Sequence, residues 1–162
     1  MQFYVDGGCR RNGRPDAIGA AAAVRRYRNG SSRRTCRLDT NYPYYYNKAT
    51  SQRAEILAII LALKWALDDC EKLNNSPRVK VTIHSDSKYA VNCMNQWLAK
   101  WSNNGWTTSA GGSVANQDIL QDAIDAENRV LDVGSVTVSY KWVARDKVHD
   151  ADKWCNQELD NM

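Results

Sequence analysis

The chain has 162 residues, enough for one well-packed domain and short for two. With 43% hydrophobic and 25% charged residues it reads as an ordinary globular protein. No apolar stretch is long enough to span a membrane, and none at the N-terminus resembles a signal peptide, so an intracellular, non-secreted protein is expected, its compartment unspecified. The cysteines (Cys9, Cys36, Cys70, Cys93 and Cys155) are odd in number and widely spaced, which points to free thiols rather than a disulfide or metal framework.

The net charge of +4 conceals an asymmetry: residues 1–37 carry nine Arg against Asp6 and Asp16, a balance of +7, and the rest carries −3. A basic flank beside an acidic centre suits a polyanion substrate, but arginines alternating with apolar residues equally suit a solvated strand face. Both readings stand at this point.

In chain order, Gln2 to Arg10 and Ala17 to Arg28 read as strands, and Asn29-Gly30 signals a hairpin into a third strand through Leu38. Asn41 to Asn47, rich in tyrosine, reads as a loop. Thr50 or Ser51 then caps a long helix to about Leu73, ended by Asn74 to Pro77. Val79 to His84 is a fourth strand, and a helix follows from Ser87 to about Trp101. After a Gly/Ser/Asn-rich segment, a helix spans roughly Asn116 to Leu131, Val133 to Val143 is a fifth strand, and a last helix starts near Asp150. Three meandering strands followed by alternating helices and strands predict an α/β fold with a mixed five-stranded sheet flanked by helices on both faces. No repeat or linker divides the chain.

Four carboxylates stand at the edges of apolar segments. Asp6 follows Phe3-Tyr4-Val5, Asp86 follows the alternating run Val79 to His84, Glu55 opens the long helix, and Asp152 opens the last one. Taken singly, each has an ordinary reading as a turn residue, a helix cap, a dipole complement or an ion-pair partner. Helical spacing argues otherwise for two: Glu55 shares a face with Ala58, Ile59 and Ala62, and Asp152 with Cys155 and Leu159. In the predicted sheet all four converge. Acids gathered on one spot repel one another unless a cation holds them, and hard divalent ions take oxygen ligands.

The strings that carry these acids resemble type 1 ribonuclease H. They are Tyr4-Val5-Asp6-Gly7-Gly8 with Asn12-Gly13, Thr50-Ser51-Gln52-Arg53-Ala54-Glu55, Ser85-Asp86-Ser87, Trp97, Trp101, Asn104 to Gly111, Asn116 and Ala151-Asp152. The resemblance runs from residue 2 to about 159 and implies a ribonuclease H-like fold over 1–162, with a protrusion at about 94–114. It implies an endonuclease that hydrolyses the RNA strand of RNA–DNA hybrids with two Mg²⁺ ions (Mn²⁺ as substitute), leaving 5′-phosphate and 3′-hydroxyl ends. Asp6, Glu55, Asp86 and Asp152 would be the catalytic metal ligands. Asn12, Ser51 and Gln52 would face the RNA strand, and Lys48, Thr50, Tyr89, Lys100, Trp101 and Asn116 the DNA strand. No obligate protein partner is implied, and a monomer is expected.

Two features depart from the family. Many relatives carry a glycine-flanked His about ten residues before the last acid, whereas the segment here is Val143 to Asp152, shorter and without those glycines. Arg145 stands in for that loop residue, with His149 as a second auxiliary candidate and Asp150 as a rival to Asp152. In the protrusion, Ser102 and Asn103 stand where relatives often have lysines. A non-catalytic hybrid- or duplex-binding module of the same fold is the alternative function, with a DNA transferase such as an integrase ranked last.

Overall fold

The computed structural model describes residues 1–38, 49–73 and 77–162. The expected tyrosine-rich loop, most of the helix-ending segment and Lys48 lie outside them. Five strands form one sheet in the order β3-β2-β1-β4-β5. β1 (Gln2–Arg10), β2 (Ile18–Tyr27) and β3 (Gly30–Arg37) pair antiparallel. β4 (Val79–Ser85) and β5 (Val136–Trp142) add in parallel beside β1. Parallel neighbours need crossovers, and helices supply them. α1 (Ser51–Glu71) connects towards β4. α2 (Lys88–Asn92), a π-helical turn at Cys93–Trp97, α3 (Leu98–Asn103) and α4 (Gln117–Asp132) lie between β4 and β5. A 3₁₀ turn at Arg145–Val148 leads into α5 (His149–Asp160).

The β-strand period divides the side chains between two layers. Phe3, Val5, Val81, Ile83, Val136 and Tyr140 join the main core with Ile56, Ile59 and Leu63 of α1 and Leu120 and Ala123 of α4. α1 is apolar nearly all round because it lies between the sheet and α4. The opposite face of β1–β3 carries α5 through a separate cluster of Ala20, Ala22, Val24, Ala151, Cys155 and Leu159. Ala20 to Ala23 are fully buried, so β2 is small on both faces and admits a helix against each.

The expected architecture is present, with local differences. Tyr27 pairs with Gly30, so the hairpin turn is Arg28-Asn29, one residue before the expected pair. Thr50, not Ser51, caps α1 by accepting the Arg53 N–H at 3.2 Å. β5 begins at Val136 rather than Val133 because residues 133–135 end α4: the Val133 N–H returns to Val130, and Gly134 and Ser135 take positive φ. The single helix expected from Ser87 is broken by the π turn, with Ser87 itself as the cap outside it.

The arginines of the basic flank are mostly occupied within the fold. Arg25 pairs with Asp69, Arg34 with Asp68 at 3.0 Å, Arg37 with Glu158 at 2.7 Å and Arg10 with Asp160 at 2.6 Å, while Arg33 lies on the Trp154 ring. These contacts tie β1, β2 and β3 to α1 and α5, which favours the strand-face reading for this part of the flank.

Candidate active site

β1 and β4 run parallel, and their pairing ends at Val5 and Ser85, so Asp6, midway along β1, and Asp86, just past β4, come next to each other. Gly7 brings the third acid in. A Cβ there would overlap the Ala54 carbonyl group and lie 2.5 Å from the Glu55 amide nitrogen. Only glycine lets the strand touch the first turn of α1, and the Gly7 N–H donates to the Glu55 carboxylate. Carboxylate oxygens of Asp6, Glu55 and Asp86 then lie within 4.8 Å of one another. Asp152, on α5, falls outside that set of three, but its carboxylate is within hydrogen-bonding reach of Asp6.

Electrostatically this is a crowded place. Asp6 is 7% exposed, and burial raises its carboxyl far above the ordinary range, with Glu55, Asp152 and Asp86 adding to the rise. Burial likewise raises Glu55, as does the charge of Asp86, against the lowering effects of the Gly7 N–H, Asp6 and Arg145. One Glu55 oxygen, Oε2, is buried with no hydrogen-bond partner. A buried acceptor left unpaired is costly. An unpaired oxygen among three convergent acids fits a divalent cation, whose oxygen ligands lie at short range and whose charge would reverse the repulsion. The donor set is all oxygen, which suits a hard ion over a thiol-seeking one.

Arg145, on the 3₁₀ turn, places Nε 3.6 Å from Asp86 Oδ2 while remaining 88% exposed. It sits at the mouth of the cluster, facing solvent. His149 is exposed at the start of α5. Trp142 Nε1 donates to the Asp86 carbonyl oxygen at 3.1 Å and fixes the backbone that carries this acid.

A second group of predicted residues meets beside the N-terminus of α1. The Asn116 amide donates to the Tyr89 hydroxyl at 3.0 Å and to Gln52 Oε1 at 3.4 Å, with Asn116 itself in left-handed backbone at φ 64°. The organiser of this group escaped the sequence reading. Arg53 is 3% exposed and forms two bonds to the Asp118 carboxylate, at 2.8 and 2.7 Å, with a longer one to Asn116 at 3.5 Å. Burial would raise the Asp118 carboxyl, but the bonds and charge of Arg53 outweigh it and leave the group below its ordinary range. A planar guanidinium suits this bidentate role. Ser51 and Asn12 are exposed, Ser51 opening α1 and Asn12 in the turn after β1.

Trp101 lies in a row of rings: Tyr89 to Trp97 at 6.3 Å, Trp97 to Trp101 at 5.7 Å, and Trp101 to Trp106 at 6.3 Å. Trp97 and Trp101 are both half-buried against the core. Lys100 is exposed in the last turn of α3.

The comparisons with known proteins agree with this arrangement. The family model of RNase H matches residues 1–162. A protein of Hydrogenovibrio crunogenus named Ribonuclease H is 31% identical over 169 residues, covering 100% of this chain and 97% of that one. One of Mannheimia succiniciproducens with the same name is 29% identical over 160 residues, covering 97% and 83%. Among solved structures, LC11-RNase H1 from compost superposes with a TM-score of 0.66 at 18% identity, over 99% of this chain and 95% of that one. The same LC11 enzyme has been solved with an RNA/DNA hybrid, at a TM-score of 0.63, 16% identity and coverage of 96% and 94%. With a family match over residues 1–162 and this acid cluster where the pairing of its two central strands ends, the chain belongs to the RNase H family.

Proposed function

We propose that the protein is an endonuclease that hydrolyses the RNA strand of RNA–DNA hybrids with divalent metal ions, leaving 5′-phosphate and 3′-hydroxyl ends. The observation that carries this reading is the unpaired, buried Glu55 oxygen among three acids whose oxygens lie within 4.8 Å. Family membership supplies the reaction. The chain acts as one catalytic domain over 1–162, with residues 94–114 as its protrusion.

Asp6, Glu55, Asp86 and Asp152 are the proposed ligands of two Mg²⁺ ions, Mn²⁺ substituting. Such a pair, when bound, activates the attacking water and stabilises the leaving 3′ oxygen. The protein's own part is to hold the acids before the substrate arrives: Asp6 from a central strand, Glu55 through the Gly7 contact, Asp86 through Trp142. Arg145, exposed beside Asp86, is suited to receive the product phosphate. His149 is a further auxiliary candidate.

RNA is distinguished by its 2′-hydroxyls, which short polar groups read in a shallow minor groove. Asn12, Ser51 and Gln52 are assigned that task. Thr50, Tyr89 and Asn116, with Lys48 outside the described residues, are assigned to a phosphate of the DNA strand, and Lys100 and Trp101 to its backbone and sugars. The retention of all four acids weighs against a non-catalytic binding module.

A cleavage assay comparing RNA–DNA hybrid, double-stranded RNA and double-stranded DNA, with Mg²⁺ or chelator, tests the proposal. Only the hybrid should be cut, on its RNA strand, and only with metal. Asp86→Asn should remain folded and lose cleavage. Undiminished cutting in chelator or in that variant would overturn the assignment.

A further inference from the structure

α5 covers the sheet only over β1, β2 and β3, leaving the face of β4 and β5 on that side without a helix among the described residues. The side chains there follow from strand alternation. Val81, Ile83, Val136, Val138 and Tyr140 turn towards α1 and α4, so Lys80 and His84 of β4 and Lys141 of β5 turn the other way. Tyr4 and Arg26 join them from β1 and β2. The Tyr4 and His84 rings stack at 4.3 Å, and the Arg26 guanidinium caps the far side of Tyr4 at 3.8 Å. Arg26 also reaches the Lys147 carbonyl at 3.3 Å, which joins this face to the turn bearing Arg145.

Among the described residues, the cations of this face lack the carboxylate partners that several arginines elsewhere have. Arg10, Arg11, Arg25, Arg34, Arg37 and Arg53 all have carboxylate partners. Arg26, Lys80, Lys141 and Lys147 are exposed, and none belongs to an ion pair among the described residues. Asp146 and Asp150 flank Lys147 along the 3₁₀ turn and α5, whereas the strand cations Arg26, Lys80 and Lys141 have no acid within two residues. Four cations without an ion-pair partner among the described residues lie around the stacked rings and leave this strand face with a positive balance.

The surface is continuous with the acid cluster. Asp86 directly follows β4, and Lys80 lies six residues before it, near the start of that strand. At the rise of a strand that is roughly 20 Å, the length of about six nucleotides along one strand of a duplex.

We propose that this uncovered sheet face is a second nucleic-acid contact, a phosphate track through Arg26, Lys80, Lys141 and Lys147 that holds a strand running on from the cleavage site. It rests on the nuclease reading only in taking a nucleic-acid strand as the occupant. The track gives affinity without sequence preference, since it offers cations and no buried polar pocket for a base.

The test compares the wild type with Lys80→Gln/Lys141→Gln and with the fourfold variant that adds Arg26→Gln and Lys147→Gln. Binding to 8- and 24-base-pair hybrids is followed by fluorescence anisotropy in chelator, from 50 to 200 mM salt. Each phosphate contact contributes about 0.9 to the slope of log affinity against log salt. On the long duplex the double variant should lose about 2 of slope and the fourfold variant up to about 4, with little change on the short one. Among the described residues Lys80 and Lys141 make no ring contact or ion pair, so the double variant keeps the test open if removing Arg26 perturbs the fold. Equal slopes for wild type and double variant on the long duplex would overturn the proposal, as would an equal loss at both lengths. A slope change without hybrid cleavage in the earlier assay would instead sink the nuclease reading and leave the track standing.

Discussion

Gly7→Ala isolates the contact that builds the site. The new methyl would lie 2.5 Å from the Glu55 amide nitrogen and overlap the Ala54 carbonyl, where carbon contacts settle near 3.5 Å. Strand and helix must therefore part by about 1 Å, and neither side is a flexible side-chain end that could turn away. Overpacking of this kind costs about 1–3 kcal/mol; with backbone on both sides the upper end applies. For a chain of this size about 3 kcal/mol lowers Tm by roughly 6–12 °C. Activity should fall further than stability, since a misplacement of about 1 Å at reacting groups can cost roughly a hundredfold in rate. Gly8→Ala is the control, meeting only the ends of Leu159 at 3.1 Å and Cys155 at 3.2 Å, and should cost far less. The assay pairs thermal unfolding in chelator with hybrid cleavage at saturating Mg²⁺, at a temperature where both variants are folded. Wild-type turnover in Gly7→Ala would refute the claim that this contact sets the position of Glu55.

Other outcomes follow from the same geometry. Asp6 and Glu55 are raised, Glu55 to about 8, so in metal-free protein the folded state holds protons that the unfolded chain releases above about pH 4. Their contribution is greatest at low pH and is lost as pH rises towards 8; Tm in chelator should therefore fall over that range, and Mg²⁺ should flatten the fall. Arg53→Ala should cost about 3 kcal/mol by removing the guanidinium that grips both oxygens of Asp118 and raise KM for hybrid more than it lowers kcat; a change confined to Tm would make the pair purely structural. Arg145→Ala should slow turnover with little effect on hybrid affinity, measured by single-turnover and multiple-turnover rates. Trp101→Ala should weaken hybrid binding by about 1–3 kcal/mol, and unchanged affinity would make the ring a packing element.

Much of the site was legible because its acids punctuate secondary structure. Asp6 and Asp86 stand at the ends of apolar strand runs, and Glu55 follows a cap by five residues. What stayed hidden depends on contacts between distant segments. Arg53 and Asp118 are 65 residues apart and meet only because α4 packs on α1. No periodicity announces the π turn at Cys93–Trp97, since its extra residue per turn is a tertiary adjustment within an otherwise helical pattern. The arginines of β2 and β3 could not be told from a polyanion-binding flank until Asp68, Asp69 and Glu158 appeared opposite them.

The small satellite cluster beneath α5 sets an order in which the molecule can come apart. The buried part of this cluster is six side chains, three of them alanines, with Ile18 and Trp154 partly buried beside them and surface ion pairs around, whereas α1 and α4 share the main core. Local opening draws on the least-anchored unit first, and backbone amides of 149–160 should exchange with solvent well before those of α1. Whenever that helix lifts, Asp152 leaves with it and the remaining three acids stay behind, so the catalytic centre can be dismantled and rebuilt without the protein unfolding.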